Sequence, residues 1–417
     1  MLNIFWISPN MVGEGNQLYG SPESSGGGWI HSLWKRLSKV PGVELGVAAP
    51  LPHVKEPQIR RGSDGHISVA LPPLTAKGGV AENTRPVWKR IEAEFRPDVI
   101  HIHGTEYPYG ADWIDTIGPE RAVVSIQGLI SICARYYLGG IDPKEFPLTL
   151  RDTLRHDSVT QQAEKFRLRG ETERRVISKV GHIIGRTSWD KAHVRAINPD
   201  AVYHYGGETL RTTFYTRRWI YDQCEPHTIF ISQGHYPLKG LHKVLEALPL
   251  VIREFPDARI RLAGPPPFGA NRLRIGGYGA WLKKLIKRLG VEDRLEYVGM
   301  LDEDGMCREY LRANLFLIPS AIENSPNSLG EAQMLEMPYL ASYVGGTPDL
   351  CADNPAALYR FEETEMLAAK ICDIFRLGAD FKPAPAPRHL YDPERNLRDL
   401  LETYREVAGD VFSGSGR

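Results

Sequence analysis

The chain has 417 residues, which is long for a single hydrophobic core and predicts two or three domains. Lys plus Arg and Asp plus Glu both number 51, so the formal net charge is zero and no global nucleic-acid surface is indicated. The five cysteines form no CxxC pair, which argues against a disulfide framework or a structural zinc site. With no signal-peptide pattern and no apolar run of ~20 residues, we expect a cytoplasmic protein. A basic cluster at residues 281–288 could place it peripherally at the inner membrane face, although a solvated helix face is the better explanation of the cluster.

The first half of the chain alternates between predicted strands and helices. An apolar run at residues 2–8 reads as a buried strand, a glycine-rich stretch ends at residues 26–28, and residues 29–39 show helical spacing. A strand, a glycine-rich loop and a helix are the opening of a Rossmann-like unit. The alternation continues with strands predicted at 43–48, 98–102, 122–126 and 182–184, and helices at 87–95, 161–179 and 189–197.

The alternation stops near residue 206 and restarts at residue 227, which predicts a second domain. Its strands are predicted at 228–232, 258–263, 294–298, 315–318 and 339–343, and its helices at 241–255, 279–289, 303–313 and 328–336. We predict an α/β protein with two Rossmann-like, doubly wound domains that face each other across a cleft. The predicted parts are an acceptor domain at residues 1–210, a linker at 211–226 and a donor domain at 227–385. A C-terminal helix at residues 386–417 is predicted to pack back toward the first domain.

The strongest functional pattern is LIPSAIENSPNSLGEAQMLE at residues 317–336. Ligands bind beyond the carboxyl ends of strands in such sheets, and a loop leading into a helix N-terminus offers backbone N–H groups to a diphosphate. Glu323 falls in the loop and Glu331 in the first turns of the helix, where a carboxylate can accept hydrogen bonds from vicinal hydroxyls. Asn327 and Ser328 could equally be simple helix caps.

Glu323, seven residues and then Glu331 resemble the paired-glutamate motif of retaining glycosyltransferases of family 4, which have the GT-B fold. Further motifs resemble that family in the same order along the chain, namely GGG at 26–28, PDVIHIHG at 97–104, LKGL at 238–241, RLAG at 261–264, YVGM at 297–300 and VGGTP at 344–348. Each motif alone is weak, and their joint order is specific.

The resemblance implies a role for each matching residue. Glu331 would hold the nucleotide ribose, and Lys239 would pair with the donor phosphates. Glu323 would be catalytic, contacting the donor sugar and helping to position it or to stabilise the transition state. The other residues implied to contact the donor are Gln233, Gly264, Met300 beside the base, Asn324, Ser325, Asn327, Ser328, Gly345 and Gly346. Those implied to face the acceptor or the cleft are Gly27, Gly28, Glu106 and Gln127.

Two departures from the family pattern concern charge and proton transfer. The family usually has an arginine shortly before the lysine, whereas residues 232–239 read SQGHYPLK, so Gln233 or His235 would have to substitute. Many members also have a histidine where this chain has Gln127, which cannot act as an acid or base. His103 is the alternative catalytic candidate, and a structural histidine satisfied by the backbone is an equally good explanation of it.

These features predict a retaining glycosyltransferase that uses a UDP- or GDP-sugar as co-substrate and a glycan, lipid-linked or small-molecule acceptor. No metal or other cofactor is expected, because the acidic triplet at residues 302–304 reads better as a helix start than as a metal site. The alternatives are a sugar-nucleotide epimerase or phosphorylase of the same fold, or a non-catalytic sugar-nucleotide-binding protein.

Overall fold

The computed structural model describes residues 1–21, 28–75, 78–105, 107–269 and 274–414. The chain divides into two compact units. Unit 1 consists of Met1–Ser131, Leu168–Thr209 and His389–Arg417, and unit 2 of Ile132–Arg167 and Leu210–Arg388. No helix in these described ranges is long and apolar enough to cross a membrane.

Unit 1 is built on an eight-stranded sheet. Its strands are β1 (Leu2–Ile7), β2 (Val43–Pro50), β3 (Gln58–Arg61), β4 (Ile67–Leu71), β5 (Val99–His103), β6 (Ala122–Ser125), β7 (His182–Gly185) and β8 (Val202–Tyr205). Their order is β3-β4-β2-β1-β5-β6-β7-β8, and only the pairing of β3 with β4 is antiparallel within the described sheet. The helices up to β8 are α1 (Gly15–Leu18), α2 (Gly28–Leu37), α3 (Arg85–Glu94), α4 (Tyr109–Thr116), α5 (Ile130–Tyr136), α6 (Leu150–Arg155), α7 (Val159–Ile177) and α8 (Ser188–Ile197).

Unit 2 is built on a six-stranded parallel sheet. Its strands are β9 (Glu225–Ile231), β10 (Arg259–Ala263), β11 (Leu295–Gly299), β12 (Ala313–Ile318), β13 (Tyr339–Ser342) and β14 (Leu358–Tyr359), in the order β11-β10-β9-β12-β13-β14. Its further helices are α9 (Thr213–Thr216), α10 (Leu241–Ile252), α11 (Gly277–Leu289), α12 (Glu303–Arg312), α13 (Asn327–Met334), α14 (Thr347–Leu350) and α15 (Thr364–Leu377). The last helix of the chain, α16 (Pro393–Gly414), belongs to unit 1.

Both sheets are covered by helices on their two faces. Successive residues of a strand point to opposite faces of the sheet, so a strand that is apolar throughout needs a helix on each side. In β9, Ile229 and Ile231 join the core cluster of α10, α11 and α15, whereas the ring of Phe230 lies 5.0 Å from that of Tyr310 in α12. This burial on both faces explains the nearly continuous apolar strands and gives the α/β fold with two parallel-sheet units that the sequence predicts.

The described units depart from the predicted domain boundaries at residues 132–167, which we call the docked segment. The sequence analysis placed it within residues 1–210, but it groups with unit 2. His242 Nε2 lies 2.9 Å from the Gly139 carbonyl oxygen, the Gly277 N–H donates to Asp152 (2.8 Å), and Trp281 Nε1 donates to Glu145 (3.0 Å). These long-range hydrogen bonds have no signature in local periodicity.

Other departures are shorter. Residues 211–226, predicted to be a linker, belong to unit 2 and contain α9. The sequence does not predict the strands β3, β4, β8 and β14 or the helices α4, α5, α6 and α15. The strand β3 is a polar edge strand and β14 has two residues, so neither has a clear pattern. The helix predicted to start at the acidic triplet is confirmed, because Asp302 is the N-cap of α12 and accepts from the Gly305 N–H at 2.7 Å.

Candidate functional site

The loop that follows β12 is held in place by two glycine turns. Gly240 has φ +69°, and a Cβ atom there would lie 1.7 Å from the Pro319 carbonyl oxygen. Gly345 has φ +53°, and a Cβ atom there would lie 1.8 Å from the Glu323 carbonyl oxygen. The Gly346 N–H donates to that same oxygen at 3.0 Å. Only glycine fits these two positions, so the glycines of the sequence motifs fix the path of the chain around Glu323.

Lys239 and Glu323 form a largely buried ion pair at the carboxyl ends of β9 and β12. Lys239 Nζ donates to Glu323 Oε1 at 2.5 Å, and the two side chains are 18% and 14% exposed. Ser320 Oγ donates to the same carboxylate oxygen at 2.8 Å. Burial opposes the charge of Lys239, but the attraction of Glu323 outweighs it, so the pKa of Lys239 is raised and the ammonium stays protonated.

His235 lies just before Lys239 and carries no charge near neutral pH. Burial and then the charge of Lys239 lower its pKa to about 4. Its Nδ1 atom is buried without a hydrogen-bond partner among the described residues. A neutral ring with an unused nitrogen can hydrogen-bond a ligand, but it does not supply the second cation of the family pattern.

Glu331 in α13 is buried and held by an arginine that the sequence analysis did not single out. Arg211 Nε and Nη2 each donate to a different oxygen of this carboxylate at 2.7 Å. Burial raises the pKa of Glu331, while Arg211 and the Tyr310 hydroxyl oppose that rise. The bidentate geometry fixes the carboxylate plane, and with the Tyr310 hydroxyl also bonded to it the carboxylate keeps one lone pair for another donor.

The short helix α9 positions Arg211. The Thr213 N–H and hydroxyl both donate to Glu303 Oε1, at 2.9 and 2.7 Å, which fastens α9 to the start of α12. The Arg211 guanidinium also lies 5.0 Å from the centre of the Phe214 ring. The sequence around Arg211 shows neither helical nor strand periodicity, so no local pattern indicates the role of Arg211.

The N-terminus of α13 has no side-chain cap. Pro326 is the N-cap residue and makes no side-chain hydrogen bond, so Asn327 and Ser328 are the first helical residues rather than caps. Asn327 Oδ1 is buried without a hydrogen-bond partner among the described residues, and Asn324 is 4% exposed. Ser325 lies between them in the loop. The Leu329 N–H donates to the Pro326 carbonyl oxygen at 3.0 Å, so the uncapped N–H groups that can meet an external acceptor are those of Asn327 and Ser328.

The residues expected beside the nucleotide base lie at the ends of β10 and β11. The Gly264 N–H donates to the Gly299 carbonyl oxygen at 2.9 Å, and Tyr297 donates its hydroxyl to the Gly264 carbonyl oxygen at 2.7 Å. Met300 follows and is 62% exposed. Gln233, also exposed, follows β9. An exposed methionine beside a tyrosine offers an apolar surface to a planar ring.

One predicted candidate residue of unit 1, His103, lines a cavity at the carboxyl ends of its strands. This side chain is 2% exposed, and its ring centre lies 3.7 Å from that of His101. Burial, and then the charges of His101 and Arg186, hold the pKa of His103 well below its usual range. Its catalytic role therefore stays a prediction, and its burial supports a structural role.

Gln127 lies near the same cavity, because Arg186 donates to the Ile126 carbonyl oxygen (3.1 Å) and approaches Gln127 Oε1 (3.5 Å). Arg186 also forms a buried ion pair with Glu208 at 3.0 Å. Neither Arg186 nor Glu208 was singled out from the sequence. Gly28 begins α2, whereas Gly27 and Glu106 lie outside the described residues.

The sequence of this chain matches known proteins most clearly in unit 2. Residues 225–376 match the family model described as Glycosyl transferases group 1. The chain is 24% identical over 226 residues to a D-inositol 3-phosphate glycosyltransferase of Corynebacterium urealyticum, covering 52% of each protein. It is 23% identical over 139 residues to the phosphatidylinositol N-acetylglucosaminyltransferase gpi3 subunit of Schizosaccharomyces pombe, covering 33% of this chain and 28% of that protein. The matches thus span about half the length of the first relative and less than a third of the second.

Solved structures resemble the chain over nearly its whole length. Sucrose-phosphate synthase of Thermosynechococcus elongatus has a TM-score of 0.64 at 15% identity, covering 98% of this chain and 99% of that one. Anabaena Alr3699/HepE, solved in complex with UDP and glucose, has a TM-score of 0.61 at 15% identity, covering 97% and 100%. At such low identity these similarities bear on the fold alone, and they confirm the predicted GT-B fold.

Proposed function

We propose that this chain, whose residues 225–376 match the family model Glycosyl transferases group 1, is a retaining glycosyltransferase. It would move a sugar from a UDP- or GDP-sugar to a glycan, lipid-linked or small-molecule acceptor. The observation that carries the proposal is the buried pair of Lys239 and Glu323 beside the uncapped N-terminus of α13. The complex of the fold neighbour HepE with UDP and glucose supports a nucleotide-sugar donor.

Glu331 would bind the ribose through the lone pair that Arg211 and Tyr310 leave unused. Arg211 donates one hydrogen bond to each carboxylate oxygen and the Tyr310 hydroxyl bonds the same carboxylate, so one further hydrogen bond can come from a ribose hydroxyl. Arg211 also favours the ionised carboxylate against the effect of burial. It would therefore act as a positioning residue for Glu331.

Lys239 would stabilise the negative charge that develops on the leaving diphosphate. The bond from the anomeric carbon to the diphosphate oxygen breaks as the acceptor oxygen bonds to the same carbon, and the proton of the acceptor hydroxyl passes to the departing diphosphate. Negative charge therefore builds on the diphosphate next to the ammonium before that proton arrives. The backbone N–H groups at the start of α13 would share that charge. In this proposal these groups stabilise the anion without a metal ion, and the neutral His235 would contribute a hydrogen bond rather than charge.

The proposal predicts nucleotide release that depends on Lys239 and Glu323. We expect at least one UDP- or GDP-sugar to raise the melting temperature of the chain and to be turned over, with release of the nucleoside diphosphate. Lys239→Ala should lower the release rate by about 100-fold or more, since one preorganised group that stabilises transition-state charge contributes roughly that much. The measurement is coupled detection of UDP or GDP, with and without acceptor sugars.

The matched control is Glu362→Gln, an exposed carboxylate in the same unit that pairs with Arg360. It should leave the release rate unchanged. If Glu323→Gln and Lys239→Ala both fold and release nucleotide at the rate of the unchanged protein, the enzymatic proposal is wrong.

A non-catalytic sugar-nucleotide-binding protein is the second candidate. It is favoured by the absence of an arginine between residues 232 and 239 and by the neutral state of His235. That function predicts a thermal shift with a UDP- or GDP-sugar but no release of nucleotide from any donor.

A further inference from the structure

Two histidines of unit 1 face each other on neighbouring strands at the edge of the sheet. His182 is the first residue of β7, and His204 lies in β8, the last strand in the order of the described sheet. His182 Nδ1 lies 2.9 Å from His204 Nε2, and the planes of the two rings are inclined by 19°. His182 is 6% exposed and the side chain of His204 is 10% exposed, so these imidazoles are held in place rather than free at the surface.

The register of the strands places both imidazoles on the face of the sheet that carries α16. His204 pairs with Ile184 in the parallel register of β7 and β8. Ile184 belongs to the core cluster that contains Leu400 and Tyr404 of α16. Paired residues and residues two positions apart in a strand point to the same face, so His204 and His182 both point toward this helix.

The helix α16 brings a carboxylate to the two imidazoles. Glu406 Oε2 lies 3.9 Å from His204 Nδ1, which is beyond hydrogen-bond length. One ligand atom from each of His182, His204 and Glu406 can be chosen so that all three atoms lie within 4.8 Å of one another. The Glu406 side chain is 51% exposed, so it can rotate toward the rings, and the cluster can be reached from solvent.

The spacing of these three groups is close to that required around a metal ion. A tetrahedral ion that binds its ligands at about 2.0–2.1 Å holds the ligand atoms ~3.3 Å apart. The facing nitrogens of His182 and His204 would separate slightly, and Glu406 would approach. The ring that donates the hydrogen bond between the histidines would carry its proton on its other nitrogen, so each neutral imidazole would offer one lone pair.

The donor set of two imidazoles and one carboxylate favours zinc. Imidazole nitrogen suits zinc and related transition metals, whereas magnesium and calcium prefer oxygen ligands alone. Three protein ligands would leave the fourth tetrahedral position to water. The sequence argued against a zinc site built from cysteines, and this cluster contains no thiol. Its ligands lie in three separate elements, so no local spacing in the sequence indicates it.

We propose that His182, His204 and Glu406 bind one zinc ion, which fastens α16 to the last two strands of the unit 1 sheet. The ion is structural, because none of its ligands is among the residues assigned above to the donor or the acceptor. His182 also lies at the amino end of β7, whereas substrates of such sheets bind beyond the carboxyl ends. The inference is independent of the proposed function.

The test uses the full-length protein after treatment with a chelator and desalting. Zinc chloride is titrated by isothermal titration calorimetry, and thermal unfolding is followed with zinc or magnesium chloride. We expect zinc to bind and to raise the melting temperature, and magnesium to leave it unchanged. Glu406→Gln and His204→Gln should each weaken the zinc affinity about tenfold or more, because even the outer-shell partners of metal ligands change metal affinity by roughly 10–100-fold.

Glu402→Gln is the matched control. Glu402 is exposed one turn before Glu406 in α16, so its replacement removes the same charge from the same helix. It should bind zinc as the unchanged protein does. Zinc bound at thiols such as Cys133 or Cys224 would be equally tight in all three variants, and equal affinity in the three would therefore overturn the inference.

Amide hydrogen exchange at residues 400–408 tests whether the ion fastens the helix. Zinc should slow exchange there in the unchanged protein and in Glu402→Gln, and should have no such effect in Glu406→Gln. Without zinc, Glu406→Gln and Glu402→Gln should melt at the same temperature, which separates a metal ligand from a residue that stabilises the fold through an ion pair. If zinc slows exchange at these residues in none of the proteins, the ion does not hold α16 and the inference is wrong.

Discussion

At the scale of single residues, the pairing of Arg211 with Glu331 has a consequence for stability. Both side chains are largely buried, and the arginine is the cation that makes two hydrogen bonds to this carboxylate. Removing one partner of a buried ion pair costs ~3–5 kcal/mol, because the other charge stays buried without compensation. The loss of stability on removing Arg211 should depend on pH, because the Glu331 carboxylate becomes neutral when it binds a proton.

We predict that Arg211→Ala destabilises the fold more at pH 8 than at pH 5. The pKa of Glu331 is raised above its ordinary 4.5 by burial even with Arg211 present, and it should rise further without it. A carboxyl whose pKa is higher in the folded state stabilises the fold at low pH, and that stability is lost as the pH rises through the folded-state pKa. Urea unfolding of the variant at the two pH values measures the effect.

The double variant Arg211→Ala with Glu331→Gln provides the control for this prediction. It contains no buried charge at this position, so its stability should vary with pH no more than that of the unchanged protein. Equal destabilisation of Arg211→Ala at pH 5 and pH 8 would contradict the assignment of the pH dependence to Glu331.

At the scale of secondary-structure elements, Asp152 connects the docked segment to α11. It is 1% exposed, and besides its capping-box role in α6 it accepts from the N–H of Gly277, the first residue of α11. Gly277 has little room for a larger residue, because a Cβ atom there would lie 2.8 Å from the Pro147 carbonyl oxygen. One carboxylate thus satisfies orphan N–H groups of two helices.

We predict that Asp152→Ala lowers the free energy of unfolding by ~1–3 kcal/mol, because it leaves buried donors unsatisfied. Amide hydrogen exchange in the first turn of α11, at residues 277–280, should accelerate most, because the Gly277 N–H loses its acceptor. Asp142→Ala is the control, because this exposed carboxylate accepts only from the N–H of Lys144 in its own turn. If residues 277–280 exchange equally fast in both variants, Asp152 does not fasten the docked segment to α11.

The two sheets and the position of the loop after β12 could be predicted because their residues leave a local pattern in the sequence. Strands such as β12, buried along their whole length, and glycines required by a close approach, such as Gly240 and Gly345, leave a local signature. The contacts of Arg211 with Glu331 and of Asp152 with Gly277 join residues 120 and 125 positions apart, and no local period reports them. The domain boundary at the docked segment was missed for the same reason.

At the scale of the whole molecule, the two ends of the chain meet in unit 1. Trp6 Nε1 in β1 donates to the Tyr404 hydroxyl of α16 at 3.0 Å, across 398 positions of sequence. His101 Nδ1 lies 2.6 Å from the same hydroxyl, and Tyr404 itself is fully buried. The helix α16 also contributes Leu400 and Val407 to the core cluster of unit 1, so the core of this unit is incomplete without α16.

We predict that Tyr404→Phe destabilises unit 1 by ~1–3 kcal/mol, although the ring and its packing are kept. The loss of one hydroxyl leaves the buried Trp6 N–H without its acceptor and removes the partner of His101, and a buried unsatisfied polar group costs about that much. Thermal or urea unfolding of the full-length chain, followed by tryptophan fluorescence, measures the loss. Tyr136→Phe serves as the control, because Tyr136 is 47% exposed and its hydroxyl should be replaceable by water. If both variants unfold at the same urea concentration, the hydroxyl of Tyr404 does not help to hold the C-terminal helix on unit 1, and apolar packing alone keeps α16 in place.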